Sequence, residues 1–457
     1  MEQFYVATFA VLTALCACLE LSKQRDGKSI SNATFKAFRN NYLFVYALMM
    51  AGDWLQGPHV YALYQHYGYQ TSDIAKLFIA GFGSSMVFGT LVGSMADKYG
   101  RKRAAVTYCL TYIGSCITKH WSSYSVLMVG RVLGGIATSL LFSCFESWVV
   151  GEHFKRNYDP EWLGGLFSMA VFIGNGLVAI VSGLIANTLV DTLQLGPVAP
   201  FDAAAAFLFV GMVVILLTWG ENYGDKVPSQ STMLEKFSKA AGEIRNNRKV
   251  ALLGCMQALF EGSMYTFVFL WTPALSPNGE HILHGMIFAC FMVACMAGSA
   301  LAGKLMSGKR QIESYMQWVF AAAAAALVIP LYVHLTMEKD GNVSGGISFE
   351  GKVQMLAFLV FEFMVGIFWP SMMTMRSNYV AEEYRATIIN FFRIPLNLFV
   401  CTVLYNVSAF PLWSMYAMCS AFLFVCAACQ KYLEVLTRQE RHDFEQACSS
   451  KLEDVSA

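Results

Sequence analysis

One feature governs what this chain can become: stretches of about 20 mostly apolar residues recur along its whole length, separated by short charged clusters. That length lets an α-helix cross a hydrocarbon core about 30 Å thick. In lipid every backbone N–H and C=O must be paired within the segment, so the runs read as helices. Thirteen can be marked, at 4–21, 41–63, 76–96, 104–120, 124–149, 163–190, 200–219, 250–272, 283–303, 314–335, 353–373, 386–408 and 411–432. Only 14% of the residues are charged, against about 25% in a soluble domain.

The side of each loop follows from Lys and Arg. With the loop at 22–40 in the cytoplasm and sides alternating, 26 of the 32 basic residues fall on the cytoplasmic side and four outside (Lys76, Lys119, Lys339, Lys352). Arg131 and Arg393 remain inside predicted helices. The first segment has Glu2 before it and Lys23, Arg25 and Lys28 after it, the reverse of a secretory signal. It is expected to be a retained anchor helix with an outside N-terminus.

The other twelve segments divide six and six around a polar break. The expected organisation is an anchor helix and loop (1–39), a six-helix bundle (40–220), a cytoplasmic linker with a surface helix at 233–246 (221–249), a second bundle (250–433) and a tail (434–457). Phe142-Ser-Cys-Phe-Glu146 and Phe358-Leu-Val-Phe-Glu362 fall in the fourth core helix of each half, an echo expected of two related repeats. A net charge of +1 suggests no nucleic-acid partner. The thirteen cysteines give no disulfide framework, and the CxxC of Cys426 and Cys429 lies in an apolar helix, where packing explains it. There is no P-loop, nucleophile elbow or metal-spaced His/Cys cluster, so no enzyme, cofactor or ATP-driven pump is indicated.

After the third segment the chain reads Gly93-Ser-Met-Ala-Asp97-Lys-Tyr-Gly100-Arg101-Lys102-Arg103. This resembles the GxxxDxxGRK/R signature of the major facilitator superfamily, and Arg131-Val-Leu-Gly134-Gly135 resembles its RxxxG motif. Gly permits the tight turn, Asp97 can cap the next helix or pair with a base, and the cations hold the loop at the anionic leaflet. A narrower resemblance, to the molybdate-anion transporter family, covers nearly the whole chain. It is carried by Asp53-Trp-Leu-Gln-Gly-Pro58, Tyr64-Gln-His-Tyr67, Gly130-Arg-Val-Leu-Gly-Gly135, Leu140-Leu-Phe-Ser143 with Phe145-Glu146, and Leu195-Gly-Pro-Val-Ala-Pro-Phe201. Trp219-Gly-Glu-Asn-Tyr223, Gln257-Ala-Leu-Phe-Glu261, Phe269-Leu-Trp-Thr-Pro273 and Asn390-Phe-Phe-Arg393-Ile-Pro395 extend it. The resemblance implies an all-α membrane protein of the major facilitator fold, two six-helix bundles plus an extra N-terminal helix. It also implies uptake of molybdate, a tetrahedral dianion, by a monomer in the cell membrane.

An ionisable side chain at the bilayer centre costs about 2.5–3.5 kcal/mol on insertion scales, so each asks for a reason. The set is Asp53, Arg131, Glu146, Glu261, Glu362 and Arg393. Arg393 is the prime substrate ligand: its guanidinium offers paired donors to an oxyanion, and Pro395 nearby frees a backbone carbonyl. A structural ion pair with Glu261 or Glu362 is the alternative. Asp53 and Glu261 sit in the first core helix of each half, Glu146 and Glu362 in the fourth, and the resemblance puts such helices around the central pathway. A carboxylate there repels an anion unless it is protonated or paired, which suits proton-coupled transport, through Glu261 or Glu362 above all. Gln257 and Asn390 lie one turn from Glu261 and Arg393 and can share their faces. Arg131 reads as a packing residue of a Gly-rich stretch. Asn342-Val-Ser344 is a glycosylation sequon in an outer loop. Sulfate or another small solute on the same fold, or a non-transporting sensor or scaffold, are the rival readings.

Overall fold

The structure, a computed structural model, describes residues 2–22, 32–159, 161–223, 233–277, 281–307, 311–336, 347–380, 382–407 and 409–456. Every regular element among them is helical. After α1 (Glu2–Leu21), the first bundle comprises α2 (Ala33–Trp54), α3 (Val60–His66), α4 (Thr71–Tyr99), α5 (Arg101–Ile117), α6 (Tyr124–Lys155), α7 (Glu161–Val171), α8 (Ala179–Asn187) and α9 (Ala199–Thr218). The surface helix expected in the linker is α10 (Met233–Asn246). The second bundle holds α11 (Arg248–Leu275), α12 (His284–Ser307), α13 (Ile312–Thr336), α14 (Phe349–Tyr379), α15 (Glu382–Tyr405) and α16 (Leu412–Ser456).

Eight of these stretches are long and apolar enough to cross a membrane by length and composition alone. The remaining expected spans are carried by α2, α4, α5, α11 and α15. Two spans are irregular. The first core span breaks after Trp54, passes through the single turn Gly57–His59 containing Pro58, and resumes as α3. The fifth joins α7 to α8 by a π-helical segment, Phe172–Val178, and such bulges concentrate at functional sites. There the Trp54 indole donates to the Gly174 carbonyl at 3.1 Å.

α1 precedes the first bundle in sequence but packs on α12 of the second, where Cys16 meets Val293 and Ala297. The bundles meet where α4 lies against α15 and α8 against α12.

Within each bundle one crossing sets the register. α6 passes α4 so closely that a Cβ on Gly135 would strike the Gly81 carbonyl. α14 passes α12 in the same way: a Cβ on Gly366 would strike the Cys295 carbonyl, and one on Gly298 the Phe363 carbonyl. Glycine is the residue that lets two backbones approach so closely. These crossings correct the expected echo. Glu146 lies eleven residues past Gly135, about 16 Å along the helix, whereas Glu362 lies four residues before Gly366. The two carboxylates therefore occupy different depths, and the shared FxxFE string is no structural equivalence.

Candidate functional site

The signature loop is a welded joint at the basic end of the first bundle. Gly100 links α4 to α5 with φ +115°, and a Cβ there would meet the Glu221 carboxyl carbon at 2.6 Å. Glu221 accepts from the Lys102 amide at 2.8 Å, so the capping role sought in Asp97 is filled from after α9. The Arg101 guanidinium donates to the Ser147 carbonyl at 2.9 Å, and Lys102 Nζ to the Leu216 carbonyl at 3.0 Å. Trp148 stacks on Trp219 at 3.6 Å and donates to the Gly220 carbonyl. The string Trp219–Tyr223 is thus the partner of the loop, a role that its sequence does not announce. The side chains of Gly93's neighbour Ser94, of Asp97 and of Asn390 lie outside the described residues, as does Gly93 beyond its place in α4; Asn342 lies outside them altogether.

In the first bundle Asp53 and Arg131 have partners within the bundle. Asp53 Oδ1 accepts from the Tyr112 hydroxyl at 2.5 Å. Arg131 Nε donates to the Leu77 carbonyl at 3.1 Å, and its guanidinium covers the Phe78 ring at 4.7 Å. Glu146 is solvent-exposed, and Tyr46 lies within electrostatic reach of both it and Asp53.

The second bundle gathers its charges. Arg393 is the twelfth of the 24 residues of α15, about 16 Å from its start and midway along it. Its side chain is exposed, and no carboxylate among the described residues sits at ion-pair distance. Glu261, midway along α11 and 1% exposed, lies within electrostatic reach of Arg393 and Arg376, and its Oε1 has no hydrogen-bond partner. One turn earlier, buried Gln257 accepts from Arg376 Nη1 at 2.9 Å. The structure therefore brings Gln257, Glu261 and Arg393 together and adds Arg376. The sequence reading left Arg376 in a loop, because α14 runs six residues past the apolar segment that ends at 373. Tyr265 is the second residue missed: it is reached by the charges of Glu261, Arg393 and Asp53, so it lies where both bundles meet, and it packs edge-on against Phe82 of α4. Glu362 stands apart. It is buried against α12, near Cys295, fourteen residues or about 21 Å along α14 from Arg376.

The opposite end of the bundles is shut. His59 of the first bundle faces His284 of the second with ring centroids 5.8 Å apart, Trp54 lies against Phe288, and His281 meets Asp191 at 3.5 Å.

Comparison with known proteins completes the picture. A family model described as sugar transporters with 12 transmembrane segments matches residues 4–358. The molybdate-anion transporter of Takifugu rubripes is 34% identical over 425 residues, covering 87% of this chain and 86% of that protein. The molybdate-anion transporter of Xenopus laevis is 34% identical over 397 residues, covering 85% and 84%. Among solved structures, a nucleoside transporter superposes with TM-score 0.66 at 13% identity, covering 87% of this chain and 99% of that one. A D-xylose–proton symporter gives 0.65 at 13% identity, covering 86% and 97%.

Proposed function

The chain belongs to the molybdate-anion transporter family, with the major facilitator fold, and from that premise we propose that it carries molybdate across the membrane. It is a multi-pass membrane transporter and not an enzyme. The observation that carries the substrate reading is Arg393, exposed and unpaired by any described carboxylate halfway along α15, with Arg376 and Glu261 around it. Two guanidiniums suit a tetrahedral dianion, since each offers planar donors matched to oxyanion geometry. A neutral sugar, which the matching family model would suggest, gives no reason for this charge.

Glu261 supplies a coupling device. With its carboxyl protonated, the two guanidiniums balance a dianion. With the proton released, the carboxylate cancels one guanidinium, a net single positive charge faces the dianion, and the dianion is held less tightly. Protonation thus favours loading and proton release favours discharge, as the two bundles alternate access around the site. The shut His59–His284 end and the exposed Arg393 fit a state open toward the basic end. Sulfate shares molybdate's charge and shape, so charge alone does not separate them.

Uptake of labelled molybdate by cells expressing the chain tests the reading, with Arg393→Ala beside it and excess sulfate as competitor. Wild-type uptake by Arg393→Ala at low substrate would remove Arg393 from the site. Half-inhibition by equimolar sulfate would make the protein a general oxyanion carrier. For the coupling, Glu261→Gln should flatten the pH profile of uptake while exchange of bound anion persists. An unaltered profile would move the coupling to another carboxylate, with Glu362→Gln the next to test.

A further inference from the structure

The shut end of the first bundle holds a group that transport through Arg393 does not use. Lys119 lies in the single turn Thr118–His120 that ends α5. A lysine at a helix end can run its four-carbon stem out to the headgroups and keep its ammonium wet. Lys119 does the reverse and is 1% exposed. Its ammonium stands 5.6 Å from the centroid of the Tyr64 ring and has no hydrogen-bond acceptor. The Tyr64 hydroxyl is fully buried, and its polar neighbour is the Arg131 guanidinium, itself a donor, so the hydroxyl proton has no acceptor among the described residues. Arg131 lies within electrostatic reach of both.

A buried lysine and a part-buried arginine therefore lie close together. The nearby carboxylates are spoken for: Asp53 accepts from Tyr112 at 2.5 Å, and Asp202 meets His120 at 2.7 Å. Neither Lys119 nor Arg131 makes an ion pair among the described residues. Attraction to an aromatic face recovers only part of what an ammonium loses on leaving water. A buried ammonium either gives up its proton or takes a counter-ion, and a second cation beside it with no described carboxylate at ion-pair distance is what an anion would balance.

We propose that Lys119, Tyr64 and Arg131 form a binding site for one small inorganic anion, distinct from the Arg393 site in the second bundle. Lys119 Nζ and the Tyr64 hydroxyl donate to the anion, and Arg131 adds charge from behind. The walls are close: a Cβ on Gly130 would lie 3.1 Å from Lys119 Nζ and collide with Thr118.

The test is the melting temperature of the purified full chain in detergent, first in sodium gluconate and then with chloride or sulfate titrated in at constant ionic strength. A ligand that binds the native state raises its melting temperature saturably. Wild type should gain several degrees with chloride. Lys119→Met, close in length and free of the buried charge, should fold but lose the shift, Tyr64→Phe should weaken it, and Arg393→Ala should keep it. A Lys119-dependent shift with sulfate and none with chloride would keep the site and make its occupant an oxyanion. A sulfate shift that needs Arg393 and not Lys119 belongs to the transport site and counts against this one. Absence of any saturable shift in wild type, or its survival in both Lys119→Met and Lys119→Gln, overturns the proposal.

Discussion

The two bundles share one packing device and differ in what they do with charge. Both bring their fourth core helix onto the second through glycines that leave no room for a Cβ: Gly135 against Gly81 in one, Gly366 and Gly298 against Cys295 and Phe363 in the other. Around that common frame the first bundle gives Asp53 and Arg131 partners of its own and leaves the buried Lys119 ammonium for the ligand proposed for it. Tyr112 holds Asp53 and the Leu77 carbonyl holds Arg131. The second bundle leaves Arg393 exposed and one oxygen of Glu261 without a partner. If the substrate site lies in the second bundle as proposed, its chemistry sits on a frame that the first bundle builds in the same way.

The most severe way to break the comparison is to strike the frame in each half. Overpacking a well-filled interior costs about 1–3 kcal/mol and occasionally more. Here the obstacle is a backbone carbonyl, which no rotamer change removes, so Gly135→Ala and Gly366→Ala should sit at the upper end of that range. Both should lose monodisperse protein on size exclusion in detergent. If one variant alone collapses, the crossings are not equivalent. Next in size is Arg393→Ala. A hydrogen bond to a charged group contributes about 1.5–3 kcal/mol, so molybdate affinity should fall about 10- to 100-fold. The same purified variant should elute normally, because Arg393 supports no packing contact comparable to the glycines.

How much of this could be read beforehand depends on the length scale. Charged clusters mark helix ends, so the spans were legible from 4–21 to 411–432. Polar and charged residues interrupt the apolar runs of α2, α11 and α15, which carry Asp53, Gln257 with Glu261, and Arg393. Arg376 stayed hidden because a basic residue just past an apolar run looks like a loop anchor, whereas α14 continues to Tyr379 and turns it inward to Gln257. Depth stayed hidden too. Glu146 and Glu362 share a string, and only the glycine crossings show that they lie at different levels. Glu221 could not be read because its partner, the Lys102 amide, is 119 residues away in sequence.

A smaller change tests whether the first bundle's charges are tied off or merely near one another. Tyr112→Phe removes the donor to Asp53 and leaves a buried carboxylate oxygen unserved, a loss of about 1–3 kcal/mol. If Asp53 is structural, the variant should melt lower, while its molybdate affinity stays within about threefold of wild type, a difference under 1 kcal/mol. Uptake that collapses at unchanged melting temperature would move Asp53 into the transport site and erase the contrast between the halves.

The gentlest probe is Glu221→Gln. Half of what Glu221 does is hydrogen bonding to the Lys102 amide, which an amide oxygen can still accept. The rest is charge toward Arg103 at 3.9 Å, whose side chain is 74% exposed. An exposed pair of that kind contributes about 0–1 kcal/mol. The variant should therefore lose no more than a degree or two of melting temperature, a shift matching that energy in a chain of this size. Glu221→Ala removes the acceptor as well and should cost visibly more. Equal effects from the two variants would mean that the joint is held by charge, and then high salt should loosen the wild type as much as either substitution does.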